Sequence, residues 1–188
     1  RYFNFMKLTT ILFILVFIEI ILEIITKKVT CPLRPSGDIT LFTEFLPNEE
    51  AKKILTELRN RRSKGESISK LEYKKVFEKV IYKVPASRMG SWFGVVPQIG
   101  GDIGFIRDNL PTIVANLVKR HELEHLLQTG QEKNVEWSAN VAVIKEYHWR
   151  SLFMIPFAVK DRFSFYHGEP LCLVASLWVN FKKYLLPF

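Results

Sequence analysis

Two histidines and a glutamate stand close together near the middle of this 188-residue chain. His121 and His125 are separated by three residues, and Glu122 follows the first histidine in the pattern H-E-x-x-H. On an α-helix, residues at i and i+4 project from one face about one turn apart. Two neutral imidazoles at that spacing can bind one zinc ion, and the glutamate can act as general base for a zinc-activated water molecule. The alternative is a charged helix face with two solvated histidines.

The residues around this motif are those expected of a helix that follows a short strand. Residues 103–107 form an apolar, strand-like run, which the turn signal at residues 108–109 closes. Pro111 fits the first turn of a helix, because its missing N–H costs nothing there. Apolar residues recur at helical spacing from Val114 to Leu126, and Gly130 supplies a stop. We therefore predict that the motif lies within a helix.

A carboxylate that can complete the metal site stands on the next predicted helix. Asn134 is a suitable N-cap for a helix from Val135 to about Tyr147, and Glu136 lies in its first turn. Two histidines and a glutamate leave one position of a tetrahedral zinc site open for water. Asn140, one turn beyond Glu136, is placed to orient a ligand histidine through its other ring nitrogen. Two alternatives stay open: Glu136 is only a carboxylate favoured by the helix dipole, or Glu132 is the ligand instead.

The two motifs together resemble those of the gluzincin metallopeptidases. The second motif reads Glu136-x-x-Ala139-Asn140. It is similar to the pattern E-x-x-[Ala/Ser]-[Asp/Asn] of thermolysin-like enzymes, minigluzincins and HtpX/CaaX-type membrane peptidases. The resemblance covers about residues 103–143. The interval from His125 to Glu136 is shorter than in most gluzincins, and Asn140 replaces the commoner aspartate.

This resemblance implies a zinc cofactor and a full set of roles in peptide-bond hydrolysis. The implied zinc ligands are His121, His125 and Glu136, and the implied general base is Glu122. Asn140 is implied to orient a ligand histidine through the ring nitrogen that does not bind the metal. A catalytic zinc site usually adds a donor that stabilises the developing oxyanion. We name Tyr166 and His167 as candidates for that catalytic role, because they are adjacent in the loop-like stretch of residues 163–168. Further candidates are Tyr147, His148 and Arg150. An ordinary core or edge aromatic is the alternative for Tyr166.

The N-terminal part of the chain contains a long apolar stretch. From Leu8 to Thr26 only Glu19 and Glu23 are charged, and a helix needs about 20 such residues to span a bilayer. We therefore predict a single-pass signal anchor that binds membrane lipid. Its orientation is unresolved, because basic residues flank both ends. A buried or amphipathic helix is the alternative.

The rest of the chain is long enough for one hydrophobic core. The predicted organisation is an anchor at residues 1–30 and a catalytic domain at residues 31–188. Two amphipathic helices are predicted at about residues 48–62, capped by Asn48, and 67–84, capped by Ser67. The net charge of +8 is concentrated there, which suits either anionic lipid headgroups or a solvated basic face. No nucleic-acid partner is expected, because no recognition motif accompanies the charge.

Two cysteines and two short apolar runs complete the sequence reading. Cys31 and Cys172 form a disulfide if the domain faces an oxidising compartment, and otherwise they are free or buried thiols. The apolar runs at residues 152–157 and 171–179 are too short to span a membrane. They are expected to pack under the active-site helices or to lie at the membrane interface.

The sequence as a whole predicts an α+β, mostly helical fold. Its parts are a zincin-like metallopeptidase domain, with a small sheet between about Trp92 and Arg107 and an active-site helix, and a preceding transmembrane helix. The predicted function is that of a membrane-anchored, zinc-dependent endopeptidase acting on a protein or peptide substrate. One alternative is a non-catalytic membrane-associated protein with a structural or vestigial metal site. The other is a membrane-associated scaffold without metal.

Overall fold

Helices make up most of the protein, and a three-stranded sheet lies among them. The computed structural model describes residues 2–31, 36–129, 134–166 and 169–185. The helices are α1 (Tyr2–Lys28), α2 (Leu41–Glu44), α3 (Glu49–Ser63), α4 (Lys70–Val80), α5 (Ala86–Met89), α6 (Thr112–Leu127), α7 (Val135–Tyr147), α8 (Met154–Tyr166) and α9 (Pro170–Leu185), with a 3₁₀ helix at His148–Phe153. The strands are β1 (Ile81–Val84), β2 (Gly94–Val95) and β3 (Gly104–Arg107). The chain divides into a larger unit, residues 34–157, and a smaller unit that joins residues 1–33 to residues 158–188.

The sheet of the larger unit has the strand order β1-β3-β2. The central strand β3 is parallel to β1, with Ile81 opposite Gly104, and antiparallel to β2, with Gly94 opposite Ile106. All four residues of β3 are buried, as a strand covered on both faces requires. Two of the strands lie within the region predicted from the sequence. The strand β1 was missed, because residues 81–84 were assigned to the end of a helix that in fact ends at Val80.

The core of the larger unit is built around α6 and both faces of the sheet. Side chains from α3, α4, β3 and α6 form one cluster, which includes Leu55, Phe77, Ile106, Leu123 and Leu126. A second cluster, with Leu41, Val84, Met89, Ile103 and Phe105, is bordered by aromatic residues. Helix α6 is therefore buried on most of its sides, so its polar residues must find partners inside the protein.

The helix caps of the larger unit agree with the sequence pattern in part. The side chain of Asn48 caps α3 by accepting a hydrogen bond from the backbone of Glu50, as predicted. For α4 the cap is Ser69 rather than Ser67, and Ser69 forms a reciprocal capping box with Glu72. The two helices lie close to their predicted positions, and the error at α4 concerns its two ends.

In the smaller unit, α1 is held to α9 by covalent and polar contacts. Cys31 and Cys172 form a disulfide with a Cα–Cα distance of 5.4 Å, so the paired alternative is the one observed. Near this end of α1, the carboxylate of Glu23 accepts a hydrogen bond of 3.0 Å from Trp178 Nε1 and forms an ion pair with Lys182. The ion pair with Lys182 lowers the pKa of Glu23 below its ordinary value.

The prediction of an N-terminal transmembrane helix is wrong. The predicted fold class and the predicted membrane localisation both included this helix, so they are wrong as stated. Over the residues that the structure describes, no helix combines the length and the apolar character that crossing a bilayer requires. In α1 the described side chains are those of residues 10, 11 and 13–28, and charges interrupt this stretch at Glu19, Glu23, Lys27 and Lys28. The mostly helical character and the small sheet remain from the predicted fold class.

Candidate metal centre

The two histidines of the H-E-x-x-H motif lie side by side on α6. The Nε2 atoms of His121 and His125 are 3.0 Å apart, and the two rings are almost perpendicular, at 83°. His125 is buried, whereas His121 keeps part of its side chain exposed. The prediction that the motif lies within a helix is confirmed, since α6 continues for two residues beyond His125.

The C-terminal end of α6 is fixed by partners from other parts of the larger unit. The backbone carbonyl of His125 accepts a hydrogen bond of 2.9 Å from Gly100 N. The carbonyl of Leu126 accepts one of 3.0 Å from Arg59 Nε. Carbonyl groups in the last turn of a helix have no partner within the helix, so these two bonds stabilise the turn that carries His125.

A carboxylate from α7 completes the cluster. Glu136 Oε2 lies 3.4 Å from His121 Nε2 and 3.8 Å from His125 Nε2. The neighbouring rings of His121 and His125 hold the pKa of Glu136 far below its ordinary value, so this carboxylate is ionised at neutral pH. The helix that presents it begins and ends as predicted, with the Asn134 side chain accepting a hydrogen bond of 3.0 Å from the Trp137 backbone.

These three side chains fit a zinc ion in both chemistry and spacing. Two imidazole nitrogens and one carboxylate oxygen form a donor set typical of catalytic zinc sites. Ligand atoms at zinc-bonding distance in a tetrahedral site are separated by about 3.3 Å, as follows from the bond lengths. The three side chains offer ligand atoms that all lie within 4.8 Å of one another, and the separations of 3.0, 3.4 and 3.8 Å lie on either side of the ideal value.

Glu122 is buried beside this cluster and next to the edge strand β2. Burial raises the pKa of Glu122 above its ordinary value, and the neighbouring His121 and His125 act in the opposite direction. The backbone of Gly94 in β2 passes so close that an added Cβ atom would lie 2.5 Å from Glu122 Oε1. A glycine is therefore required at this point of β2, and this requirement was not predicted from the sequence.

Gln128, the residue directly after α6, contacts the Nδ1 atom of His125. Its side-chain oxygen Oε1 lies 2.8 Å from His125 Nδ1, and only 1% of the residue is exposed. Gln128 was not predicted as part of the site, although a residue three positions after a histidine on a helix is its neighbour. Asn140, predicted to support a ligand, is half-buried on α7, and its role stays a prediction. Because both ring nitrogens of His125 already have partners, Asn140 would have to act on His121.

The far side of α6 carries a buried network of charges. Arg120 forms ion pairs with Glu124, at 3.0 Å, and with Glu146 of α7, at 2.8 Å. Glu124 is also paired with Arg62 of α3. The guanidinium of Arg120 stacks over the ring of Tyr73, 4.3 Å from its centroid. These contacts fix α7 against α6 at the end opposite to Glu136.

Over the residues that it describes, the structure does not place Tyr147, His148 or Arg150 beside His121, His125 and Glu136. Tyr147, His148 and Arg150 lie at the C-terminal end of α7 or beyond it. Glu136 and Tyr147 are about 16 Å apart along the axis of α7, at the rise of an α-helix. Tyr166 is the buried last residue of α8 and belongs to the smaller unit, so the predicted loop is helical up to this residue. His167 and the alternative ligand Glu132 lie outside the described residues.

Comparison with known proteins does not assign the chain to a family. No family model, no curated protein and no solved structure matches it. The site itself consists of two histidines, one ionised glutamate and one buried glutamate, at the junction of two helices and an edge strand.

Proposed function

We propose that the protein is a zinc-dependent metallopeptidase. The observation that carries this proposal is the convergence of His121, His125 and Glu136, whose ligand atoms lie within 4.8 Å of one another. The buried carboxylate of Glu122 beside them supplies the general base that a purely structural metal site does not need. The resemblance of the two motifs to those of gluzincins supports the same proposal.

Each of the four side chains has a separate task in the proposed reaction. His121, His125 and Glu136 would hold zinc, which when bound acts as a Lewis acid on a carbonyl group and lowers the pKa of water. Glu122 takes the proton from the attacking water and later delivers it to the leaving amine. A pKa above the ordinary value suits both steps, because a carboxylate that is too acidic binds the proton poorly.

The strand β2 is the proposed binding surface for the peptide substrate. Among the described strands it is at the edge of the sheet, with its outer side not paired to another strand. An extended peptide can add to such an edge through backbone hydrogen bonds. Since Gly94 of β2 touches Glu122, a peptide bound along this edge passes the general base.

The test combines metal analysis with hydrolysis of quenched fluorescent peptides by the full-length chain. We expect about one zinc ion per chain by elemental analysis, since the cluster forms one site. The Glu122→Gln variant should keep zinc and its fold but lose hydrolysis, because an amide cannot accept the proton. The matched control is Glu57→Gln, which alters an exposed glutamate of α3 and should leave both unchanged.

Two results would contradict the proposal in different ways. If zinc is present but no hydrolysis depends on Glu122, the site is structural or vestigial, which was the alternative considered from the sequence. If carefully purified protein binds no zinc, the protein has no metal centre at all.

A further inference from the structure

Gln128 makes an unusually complete set of hydrogen bonds for a buried amide. Its Oε1 atom lies 2.8 Å from His125 Nδ1. Its Nε2 atom donates to the backbone carbonyl of Val135 at 2.7 Å and to Ser138 Oγ at 2.5 Å. Only 1% of Gln128 is exposed, and burying an amide without hydrogen-bond partners would cost free energy of folding. These contacts therefore also stabilise the position of the side chain.

The partners of the amide determine which way it points. The carbonyl of Val135 can only accept a hydrogen bond, so the group that faces it must be the NH₂ of Gln128. The hydroxyl of Ser138 donates to the same carbonyl at 3.1 Å, which leaves its oxygen free to accept from Gln128. The remaining amide atom, the oxygen, therefore faces His125.

This orientation fixes the tautomer of the histidine. A carbonyl oxygen accepts hydrogen bonds only, so His125 Nδ1 must carry a proton to bind it. In the neutral ring, Nε2 then has no proton and presents its lone pair. That lone pair is on the side of His121 Nε2, at 3.0 Å, and Glu136 Oε2, at 3.8 Å.

The same side chain also holds the first turn of α7. Val135 and Ser138 lie on either side of Glu136 in sequence, and both are bonded to Gln128. A shift of α7 that displaced Glu136 would have to break these two hydrogen bonds. One buried amide therefore connects the second histidine to the helix that supplies the carboxylate.

We propose that Gln128 is a positioning residue of the metal site, which selects the zinc-binding tautomer of His125 and sets the position of Glu136. This inference rests on the proposed function, since it concerns the ligands of the proposed zinc ion. Its first part, the choice of tautomer, can be measured in the metal-free protein, and so it can be tested independently of zinc binding.

The first experiment reads the tautomer by long-range ¹H–¹⁵N NMR of the histidine rings in the full-length, metal-free chain. The chain has four histidines, so single substitutions can assign the signals. The pH is set high enough for His125 to be neutral. We expect the Nδ1–H tautomer in the wild type and a mixture that includes Nε2–H in Gln128→Leu. Gln128→Glu keeps an acceptor for Nδ1–H and should restore the wild-type tautomer.

The second experiment measures zinc affinity by competition with a chelator. We expect Gln128→Leu to bind zinc about 10–100-fold more weakly, the usual effect of removing a group that orients a ligand histidine. Ser138→Ala is the matched control, because it removes one partner of Gln128 but leaves the bond to His125. It should keep the tautomer and weaken zinc binding less than Gln128→Leu does, because one of the two bonds to the first turn of α7 remains.

The outcomes separate this inference from the proposed function. An Nε2–H tautomer in the wild type, or a folded Gln128→Leu variant with unchanged tautomer and affinity, would overturn the role of Gln128. If Gln128→Leu does not fold, Gln128→Glu decides: Nδ1–H on His125 supports the role, and Nε2–H overturns it. A wild type that shows Nδ1–H but binds no zinc would contradict the proposed function, while the selection of the tautomer by Gln128 would stand.

Discussion

Arg120 Nε donates a hydrogen bond of 2.8 Å to Glu146 Oε2, and this bond ties α6 to the C-terminal part of α7. Arg120 is the neighbour of His121 in sequence, so the charged network begins next to the first proposed metal ligand. Together with the contacts of Gln128, it fixes α7 against α6 at both ends. The position of Glu136 relative to the histidines therefore depends on buried polar contacts as well as on apolar packing.

Replacing Arg120 by methionine should destabilise the protein strongly. The change leaves the carboxylates of Glu124, which is buried, and Glu146, which is half-buried, without their common partner, and removing one member of a buried ion pair costs about 3–5 kcal/mol. The measurement is the free energy of unfolding in urea. The control is Arg61→Met, which breaks a more exposed pair with Glu72 and should have a much smaller effect. If both variants lose the same free energy of unfolding, the ion pairs of Arg120 contribute no more stability than the exposed pair does.

Zinc affinity should rise with pH over a range that lies above the ordinary histidine pKa. Burial acts to lower the pKa of His125, but the neighbouring carboxylates of Glu136 and Glu122 together raise it above its ordinary value. A proton on His125 competes with the metal, so affinity increases until this residue is neutral and then levels off. Glu136 stays ionised throughout, because its pKa is lowered. Titration with a chelator at several pH values provides the measurement.

The free energy of unfolding of the metal-free protein should decrease as the pH rises over the same range. A raised pKa in the folded state means that His125 stabilises the fold fully below its unfolded pKa. This contribution is lost as the pH rises through the pKa of His125 in the folded state.

The prediction on zinc affinity has its own test. An affinity for zinc that stays constant between about pH 6 and pH 8, the range in which histidines titrate, would contradict the assignment of His125 as a ligand.

The parts of the site that the sequence predicted correctly depend on local signals. The motif helix and α7 follow from apolar spacing and from the residues at their starts, Pro111 and Asn134, which act over a single turn. The parts that were missed depend on residues distant in the chain. Residues 81–84 suit either a helix or a strand, and pairing with β3 decides between them. The role of Gln128 likewise exists only once α7 packs against α6.

The error at the N-terminus has a related cause. An apolar stretch in a sequence is compatible with a membrane span or with a helix that packs against another part of the chain. In the structure, Glu23 pairs with Trp178, which is 155 residues away in sequence. Nothing in the local pattern around Glu23 indicates this partner.

Replacing Gly94 by alanine should impair both stability and hydrolysis. The new Cβ atom would lie 2.5 Å from Glu122 Oε1 and 2.6 Å from Val118 Cγ1, so β2 or the carboxylate must move. Overpacking of this kind costs about 1–3 kcal/mol, and a displacement of about 1 Å at a reacting group can reduce the rate roughly 100-fold. Urea unfolding and peptide hydrolysis give the two values. The control is Gly104→Ala in β3, whose nearest contact would be 3.4 Å, an acceptable distance.

Removing the disulfide should destabilise the smaller unit. Cys31 and Cys172 close a loop with a sequence separation of 141 residues, and loss of such a bond typically costs about 2–5 kcal/mol. We expect a lower thermal midpoint for the double variant Cys31→Ser/Cys172→Ser and for the wild type in reductant. The double variant itself should not respond to reductant. A wild type whose unfolding is the same with and without reductant would show that this bond does not contribute to stability.

A comparison of three substitutions tests the third zinc ligand. Glu136→Ala removes one of the three proposed protein ligands and should reduce zinc affinity far more than the other two changes. Asn140→Ala should have an intermediate effect, about 10–100-fold, because a supporting side chain orients a ligand without contacting the metal. Glu132→Ala should leave the affinity nearly unchanged, since the structure places Glu136 beside both histidines.

All three variants are compared at one pH by competition with a chelator, because affinity depends on the protonation of the ligands. Their unfolding in urea is measured in parallel, so that a loss of fold is not mistaken for a loss of affinity. If Glu132→Ala proves damaging while Glu136→Ala has no effect, the third ligand comes from the residues that precede α7 in sequence. The resemblance to gluzincins would then fail at its second motif. His121, Glu122 and His125 would remain a zinc-binding motif with a different third ligand.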